Sequence, residues 1–203
     1  HLDALPLKSS NLKRRVGESM RACGMQEVQS LTLSNKRDQF EKVRWPNEGY
    51  VTEIANPITL DHTLLRQYIL PSLLRLLAAN RHHELPQRVY ELGEVIRDSK
   101  NFLRAAWACA EVGSGFTSSK GIIQALLRDM GAIHDDVEFR ATDAEDGPWI
   151  SGRGSHVFIR DEKIGEFGEI DPKVSGFFGI KSPIQAGEID LEAIYRIIPD
   201  PIS

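Results

Sequence analysis

Few residues in this chain have types and spacing that could do chemistry. His82, His83 and Glu84 form the one cluster of metal-ligand types in the sequence. Adjacent residues at the end of a helix point in different directions, whereas paired metal-binding histidines on a helix are four residues apart on one face. We therefore expect no metal site in this cluster.

A second candidate is the segment Ser151–Ser155, with the sequence SGRGS. Glycines expose backbone N–H groups, and the guanidinium of Arg153 can donate two hydrogen bonds to a phosphate or a carboxylate. The plainer interpretation, which we favour, is a turn whose glycines adopt left-handed conformations. Acidic pairs such as Asp135 with Asp136 are explained by surface solvation, and no Ser/His/Asp or Cys/His set is recognisable from spacing.

Composition narrows the class of protein. Hydrophobic residues at 41% and charged residues at 27% are ordinary for a soluble globular protein. A net charge of −4 argues against a protein that mainly grips a nucleic-acid backbone, because such binding needs Lys and Arg to neutralise phosphates. Cys23 and Cys109 lie far apart without CxxC partners, so we expect reduced thiols in a cytoplasmic protein. No stretch reaches the length of a membrane span.

A leucine-rich helix is the best-marked element. Proline is favoured in a first helical turn because its missing N–H would have no partner there, so Pro71 predicts where this helix begins. The helix needs a sheet on which to bury its leucines. These are Leu73, Leu74, Leu76 and Leu77.

The strand Arg88–Arg97 follows and is predicted to supply that sheet. Successive side chains point to opposite faces of a strand, which puts Tyr90 and Leu92 together on the more apolar face. Glu91 therefore points away from them.

The N-terminal segment Lys8–Cys23 predicts an amphipathic helix capped by Ser10 or Asn11 and ended by a left-handed Gly24. Other segments alternate between strand and helix patterns with short links, and no glycine-rich phosphate loop follows the first strand. This order predicts an α+β fold with a mostly antiparallel sheet flanked by helices. The predicted strands are 28–33, 50–55, 103–112, 137–141, 156–160, 163–170 and 184–189, the further helices are 119–130, 172–179 and 191–197, and 34–48 and 147–154 are predicted loops.

Three ordered sequence blocks carry a family resemblance. They are NPITLDHTLLRQYILPSLLRLLAANR, RVYELGEV and IGEFGEIDPKVSGFFGIKSPIQAGEIDL, spread from Asn56 to Leu191. They resemble the C-terminal catalytic-like domain of phenylalanyl-tRNA synthetase β subunits, of the archaeal or eukaryotic type. The resemblance implies a class II aminoacyl-tRNA synthetase-like fold, with 1–203 as a single non-catalytic domain from a longer β subunit.

In the class II fold, the first long helix and the strand after it form motif 1, which builds subunit interfaces. The resemblance therefore makes Leu12, Val16 and Met20 candidate interface residues. Burial of this stripe against the domain's own sheet is the alternative, and the sequence does not separate the two.

Motif 2 of a working class II enzyme carries Arg-x-Glu/Asp on a strand, because a guanidinium holds the ATP α-phosphate. Aligning Tyr90 with the residue before that arginine puts Glu91 at the arginine position and Gly93 at the acidic position. A carboxylate at position 91 would repel phosphate. Motif 3 should be glycine-rich and followed by an arginine, but the matching strand, Gln185–Leu191, is acidic. The resemblance thus implies no catalytic, cofactor-binding or metal residue in this domain, and Arg66, Tyr90 and Glu91 would stabilise the degenerate pocket or the interface.

The function implied is a structural domain of phenylalanine–tRNA ligase, inactive alone. Its partners would be the catalytic α subunit, which would bind ATP and Mg²⁺, and tRNA through the assembled heterotetramer; self-association is also considered. One alternative is an active small class II synthetase or ligase whose motifs are misaligned. The other is a free-standing regulatory module on the same fold.

Overall fold

A seven-stranded sheet organises the molecule and separates two hydrophobic cores. A computed structural model describes residues 4–113 and 116–198. The remaining residues of the predicted 1–203 domain lie outside the described residues. The helices are α1 (Ala4–Ala22), α2 (Leu70–Ala79), α3 (Phe116–Met130), α4 (Pro172–Phe177) and α5 (Leu191–Ile197).

The strands run in a mostly antiparallel arrangement. They are β1 (Gln26–Glu27), β2 (Leu33–Ser34), β3 (Leu64–Leu65), β4 (Gln87–Arg97), β5 (Lys100–Ala110), β6 (Val137–Ala141), β7 (Trp149–Ile159), β8 (Glu162–Ile170) and β9 (Ile184–Asp190). The main sheet has the order β1-β4-β5-β9-β8-β7-β6, with β1 parallel to β4 and every other pair antiparallel. The small β2 and β3 pair separately. The predicted α+β class with helices flanking an antiparallel sheet is confirmed.

Each face of the main sheet carries its own core. On the back face, α1, α3 and α5 pack over Tyr90 of β4 and Trp107 of β5. On the front face, α2 and α4 pack over Val89 and Val95 of β4 and over alternate alanines of β5, at positions 106, 108 and 110. The leucines of α2 therefore cover the front face, which is the face of Glu91, and Tyr90 lies on the opposite, back face. Both faces of β4 are buried because the sheet lies between two helical layers.

No helix within the described stretches 4–113 and 116–198 combines the length and the apolar character that a membrane crossing requires.

Helix α1 begins earlier than its predicted start. The chain is already helical at Ala4, so Ser10 and Asn11 lie inside the helix and the predicted caps are wrong. The sequence ALPLK before them contains good helix formers, which outweigh the capping preference of a serine or asparagine. The end is as predicted, because Gly24 has a left-handed φ of 82°.

The segment after α1 departs most from the predictions. The predicted strand 28–33 is instead two short strands in different sheets, β1 before it and β2 at its end. The predicted loop 34–48 contains a helical turn, Arg37–Glu41, with Gln39 completely buried. The side-chain amide oxygen of Gln39, Oε1, accepts from the backbone N–H groups of Gln67 and Tyr68, at 2.8 and 2.9 Å. Side-chain hydrogen bonds therefore hold this segment where β-ladder bonds are absent.

The predicted elements of the C-terminal half lie close to their predicted positions. The predicted loop 147–154 is the exception, since β7 begins at Trp149 and reaches Gly154 through an irregularity in the β7–β8 pairing. Asp171 caps α4 by accepting from the N–H of Lys173 at 2.9 Å, and Gly179 after it has a left-handed φ of 80°.

In the N-terminal half, the predicted strand at 50–55 is reduced to one bridge, between Glu53 and Leu64.

Candidate functional site

A row of polar side chains crosses the front face of the main sheet. Pairing of neighbouring strands aligns Glu91 with Ala106, Ala106 with Glu188, Glu188 with Glu166 and Glu166 with His156. The three glutamates are buried, with exposed fractions of 2%, 0% and 6%. Buried carboxylates persist only when they are paired and hydrogen-bonded, so the partners of each one define the chemistry of this face.

The partner of Glu91 is Arg66, which lies just before α2. Their side chains form an ion pair at 2.9 Å, with each side chain only 2–3% exposed. Ser30 completes the cluster, because its hydroxyl donates to Glu91 Oε1 at 2.6 Å and accepts from Arg66 Nη1 at 2.9 Å. Gly93 makes room for it, since a Cβ at that position would lie 2.6 Å from Arg66 Nη2. The structure thus brings three of the predicted site residues together.

Tyr90, which was predicted to share this cluster, lies apart from it in the back core. Its hydroxyl accepts from Arg21 Nη1 at 2.9 Å. Burial raises the pKa of the Tyr90 hydroxyl, and the Arg21 hydrogen bond opposes that rise. Tyr90 therefore links β4 to α1 and takes no part in the front-face cluster.

The predicted interface stripe also lies in the back core. Leu12, Val16 and Met20 are 8%, 0% and 0% exposed and pack with the residues of α3 and the sheet. Of the two burials considered for this stripe, the structure shows the domain's own core. These side chains leave little or no surface for a partner, and Arg66, at 1% exposed, leaves none either.

Glu188 of β9 holds the start of α2 against the sheet. Its carboxylate accepts from the backbone N–H groups of Ile69 and Leu70, at 2.9 and 2.7 Å, and pairs with Arg104 of β5 at 2.6 Å. Burial alone would lower the pKa of Arg104, but the charge and hydrogen bond of Glu188 outweigh burial and the net shift is upward. A carboxylate at the N-terminus of a helix also interacts favourably with the helix dipole.

Glu166 of β8 is held by a different set of donors. Its Oε1 accepts from the indole N–H groups of Trp45 and Trp149, at 3.1 and 2.8 Å. Its Oε2 accepts from Lys163 Nζ at 2.7 Å. The Trp45 bond joins the segment between β2 and β3 to the main sheet.

A cavity of about 300 Å³ opens on the front face between these clusters. Trp45 and Tyr68 form an aromatic wall, with ring centroids 4.6 Å apart. Arg97 lies over the Tyr68 ring at 4.9 Å, and its pKa is lowered by burial and by the nearby charge of Arg104. The other lining residues are Pro46, Glu48, Asp146, Lys163, Ile164, Gly165, Glu166, Glu188 and Asp190.

The remaining sequence candidates are not brought to this cavity. His82, His83 and Glu84 follow α2 on the surface, and among the described residues no group of three or more His, Cys, Asp or Glu side chains could hold a metal ion. Arg153 lies on β7 and pairs with Glu169 at 2.9 Å, so the segment 151–155 is part of a strand and neither the favoured turn nor the alternative anion loop. Of its two glycines, Gly152 has the predicted left-handed φ, at 82°.

Sequence reasoning missed Arg104, Glu188 and Trp45. The available signal was a single charged residue inside an otherwise apolar strand, as Arg104 is within the sequence FLRAAWACA. A charge in such a position needs a buried partner.

Comparisons with known proteins agree with this architecture. The family described as the phenylalanyl tRNA synthetase beta chain CLM domain matches residues 5–191. Proteins named phenylalanine–tRNA ligase beta subunit are 37% identical over 86% of the chain in Methanococcoides burtonii, 33% over 92% in Archaeoglobus fulgidus and 39% over 83% in Methanopyrus kandleri. The chain covers 31%, 34% and 29% of those three relatives, and so spans about a third of their length.

A solved structure, the pyrrolysyl tRNA synthetase PylSc of Desulfitobacterium hafniense, shares the fold. The TM-score is 0.74 at 14% identity, over 92% of this chain and 67% of that one. The predicted class II synthetase-like fold is therefore confirmed, and so is the resemblance carried by the three sequence blocks.

Proposed function

Because the chain belongs to the family of phenylalanyl-tRNA synthetase β-chain CLM domains, we propose that it is a non-catalytic, structural domain that pairs with a catalytic α subunit. The assembled enzyme would attach phenylalanine to tRNA at the expense of ATP. In that assembly ATP and Mg²⁺ would bind to the α subunit, and tRNA would bind to the whole complex.

The observation that carries this proposal is the Glu91–Arg66 ion pair at the motif 2 position. An ATP-binding strand needs a free guanidinium directed at the phosphates. Here the strand position holds a carboxylate, and the nearby guanidinium of Arg66 is consumed by it at 2.9 Å. Gly93 at the acidic position gives Arg66 the space to reach Glu91.

The motif 3 strand supports the same interpretation. Glu188 projects from β9 toward α2 and is fully occupied by two backbone N–H groups and Arg104. Arg196, the arginine that follows this strand, pairs with Glu162 at 3.0 Å. In both cases a charged side chain holds a helix against the sheet, which is consistent with a structural role.

A surface for the α subunit must come from exposed residues, since the predicted stripe on α1 is buried. Among the described residues, four of the eight exposed large hydrophobic side chains lie between positions 31 and 60; they are Leu31, Tyr50, Ile58 and Leu60. Backbone hydrogen bonds join the segments of Leu31 and Tyr50 to the end of β3, from Arg66 N to Thr32 O and from Leu65 N to Thr52 O. We propose that this apolar edge of the small sheet contacts the α subunit, because exposed apolar clusters mark interaction sites.

Co-purification with a catalytic α subunit, read by light scattering, tests this function. The unaltered chain should give a stoichiometric complex. Ile58→Asp should weaken that complex at least about tenfold, because Ile58 is 99% exposed and a charge there would have to be desolvated in an apolar interface. Val112→Asp is the matched control, since Val112 is 80% exposed but lies outside the apolar edge.

Failure of the unaltered chain to associate would contradict the pairing role. Thermal unfolding of the chain with and without ATP then distinguishes a working site from a degenerate one, because a ligand that binds only the folded state raises the melting temperature. A clear ATP-dependent increase for this chain alone would identify a working site and refute the non-catalytic assignment.

A further inference from the structure

The front-face cavity contains a guanidinium that the structural role does not use fully. Arg104 is 8% exposed and donates from Nε to Glu188. Within the described part of the chain, neither Nη group of Arg104 has a hydrogen-bond partner, and Arg104 lines the cavity. Because Arg104 lines the cavity, this fork of two N–H-bearing nitrogens can bind a planar anionic group such as a carboxylate.

A carboxylate oxygen lies beside that fork. Asp190 of β9 is directly opposite Arg104 in the β5–β9 pairing, so their Cβ atoms are about 5 Å apart. Asp190 Oδ1 accepts from the N–H of Ala193 at 3.1 Å and caps α5. Its Oδ2 has no hydrogen-bond partner among residues 4–113 and 116–198, and the charge of Asp190 attracts Arg104 without a close ion-pair contact between the two side chains. One donor fork and one acceptor are thus presented side by side.

The charges around the cavity select the net charge of a ligand. Three cationic side chains line it, from Arg97, Arg104 and Lys163. Five anionic side chains oppose them, from Glu48, Asp146, Glu166, Glu188 and Asp190. An excess of negative charge disfavours a polyanion such as a nucleoside triphosphate, because like charges in a low-dielectric site repel strongly. A molecule with one carboxylate and one ammonium adds no net charge and can satisfy both free groups.

We propose that this cavity binds a small zwitterion of the size and charge of a free α-amino acid. The ligand carboxylate accepts from the two Nη groups of Arg104, and its ammonium group donates to Asp190 Oδ2. Its side chain lies against the aromatic wall of Trp45 and Tyr68. A volume of about 300 Å³ is at the lower end of small-molecule sites and suits a ligand of this size.

Tryptophan indole N–H signals in an NMR titration of the unaltered chain give a direct test. The chain has three tryptophans. Trp45 lines the cavity, whereas Trp107 lies in the back core on the other face of the sheet. Titration with the standard L-amino acids up to about 10 mM should shift the Trp45 signal with at least one of them and leave the Trp107 signal in place. Acetate, ethylamine and ATP serve as partial probes, and each should bind at least about tenfold more weakly than the best amino acid.

Two variants separate the two halves of the site. Arg104→Lys keeps a cation beside Glu188 but loses the fork, so amino-acid affinity should fall about tenfold. Asp190→Asn keeps an oxygen that can cap α5, and should weaken amino-acid binding while leaving acetate binding unchanged. Arg88→Lys is the matched control, since Arg88 pairs with Glu111 outside the cavity and its replacement should not alter binding.

Three results would overturn the proposal: no Trp45 shift with any amino acid, ATP or acetate binding as tightly as the best amino acid, or an Arg104→Lys variant with unaltered affinity. The non-catalytic assignment fails on different grounds. ATP-dependent formation of an aminoacyl adenylate by this chain alone would refute that assignment, while the zwitterion site would be judged by the titration.

Discussion

Glu91 and Arg66 are 25 positions apart in sequence and neutralise each other in the interior of the front face. Burial of either charge alone is costly, because water no longer solvates it. Each charge can therefore be buried only because the other one is present. Ser30 hydrogen-bonds to the pair, and Gly93, which has no side chain, leaves room for it. This mutual dependence explains why a carboxylate at position 91 and a glycine at position 93 occur together.

We expect Glu91→Gln to reduce the free energy of unfolding by about 3–5 kcal/mol, because Arg66 would remain charged and buried without its counter-ion. Arg66→Met should reduce the free energy of unfolding by a similar amount, because Glu91 would then remain charged and buried without its counter-ion. The double variant should lose less than the sum of the two, since it removes both charges. Urea unfolding followed by circular dichroism measures all three.

The exposed pair Arg14–Glu18 is the matched control for this cycle. Both side chains are 55% exposed and lie 3.1 Å apart on α1. Glu18→Gln should change stability by no more than about 0.5 kcal/mol, because water screens such pairs. If Glu91→Gln were as mild as Glu18→Gln, the buried pair would not be the stabilising contact described here.

At the scale of an element, α4 depends on a single capping carboxylate. Asp171 accepts from Lys173 N–H at 2.9 Å and pairs with Arg44 Nη1 at 3.0 Å. Partial burial by itself raises the pKa of Asp171, but the two hydrogen bonds and the Arg44 charge outweigh burial and hold the pKa below its ordinary value of 3.8. The folded state therefore favours the ionised carboxylate.

A depressed pKa fixes the direction of the pH effect. The stabilisation from ionised Asp171 is fully present above the unfolded value of 3.8 and is lost as the pH falls through the lower folded value. We predict that Asp171→Asn, which can still cap the helix, lowers stability at neutral pH by at most about 1 kcal/mol, and that the difference from the unaltered chain shrinks below the unfolded pKa. Urea midpoints at about pH 7, 5 and 3 test this.

Asp135→Asn provides the comparison, since the Asp135 side chain is 97% exposed. Its effect should be small and nearly constant with pH. A difference for Asp171→Asn that grew as the pH fell would contradict the assigned direction.

Elements with local signals could be predicted from the sequence. Pro172 and Gly179 delimit α4, Gly24 ends α1 and Gly131 ends α3, because capping signals act within a few residues. The segment 28–48 could not be predicted, since its conformation depends on hydrogen bonds that the Gln39 side chain accepts from backbone N–H groups 28 and 29 positions away. The face covered by α2 likewise depends on Glu188, which lies more than 100 positions beyond the helix start.

The candidate site follows the same division. The resemblance placed Glu91 and Gly93 on a motif 2 strand, and alternation correctly turned Glu91 away from Tyr90. The Arg66 contact and the cavity arise from tertiary packing, for which a single sequence carries no local signal. The sequence could not predict which surface buries Leu12, Val16 and Met20, because an apolar helix stripe fits a neighbouring sheet as well as a partner helix.

At the scale of the whole molecule, the front and back cores share the strands β4, β5, β9 and β8. Loss of either core would expose one face of the same sheet, so the two faces should unfold together. Single-domain behaviour of this kind gives one cooperative transition in every probe. The chain carries a reporter on each face: Trp45 and Trp149 in the front core, and Cys109 in the back core.

We predict that the two reporters give the same urea midpoint in a Cys23→Ser, Trp107→Phe variant. Burial raises the pKa of the Cys109 thiol to about 12, so a short pulse of a thiol reagent near pH 8 should label Cys109 only in unfolded molecules. Tryptophan fluorescence in this variant reports only the front core. Midpoints by mass spectrometry and by fluorescence should coincide; Cys109 labelling at lower urea than the fluorescence change would show that the back core opens independently, and the chain would then consist of two folding units.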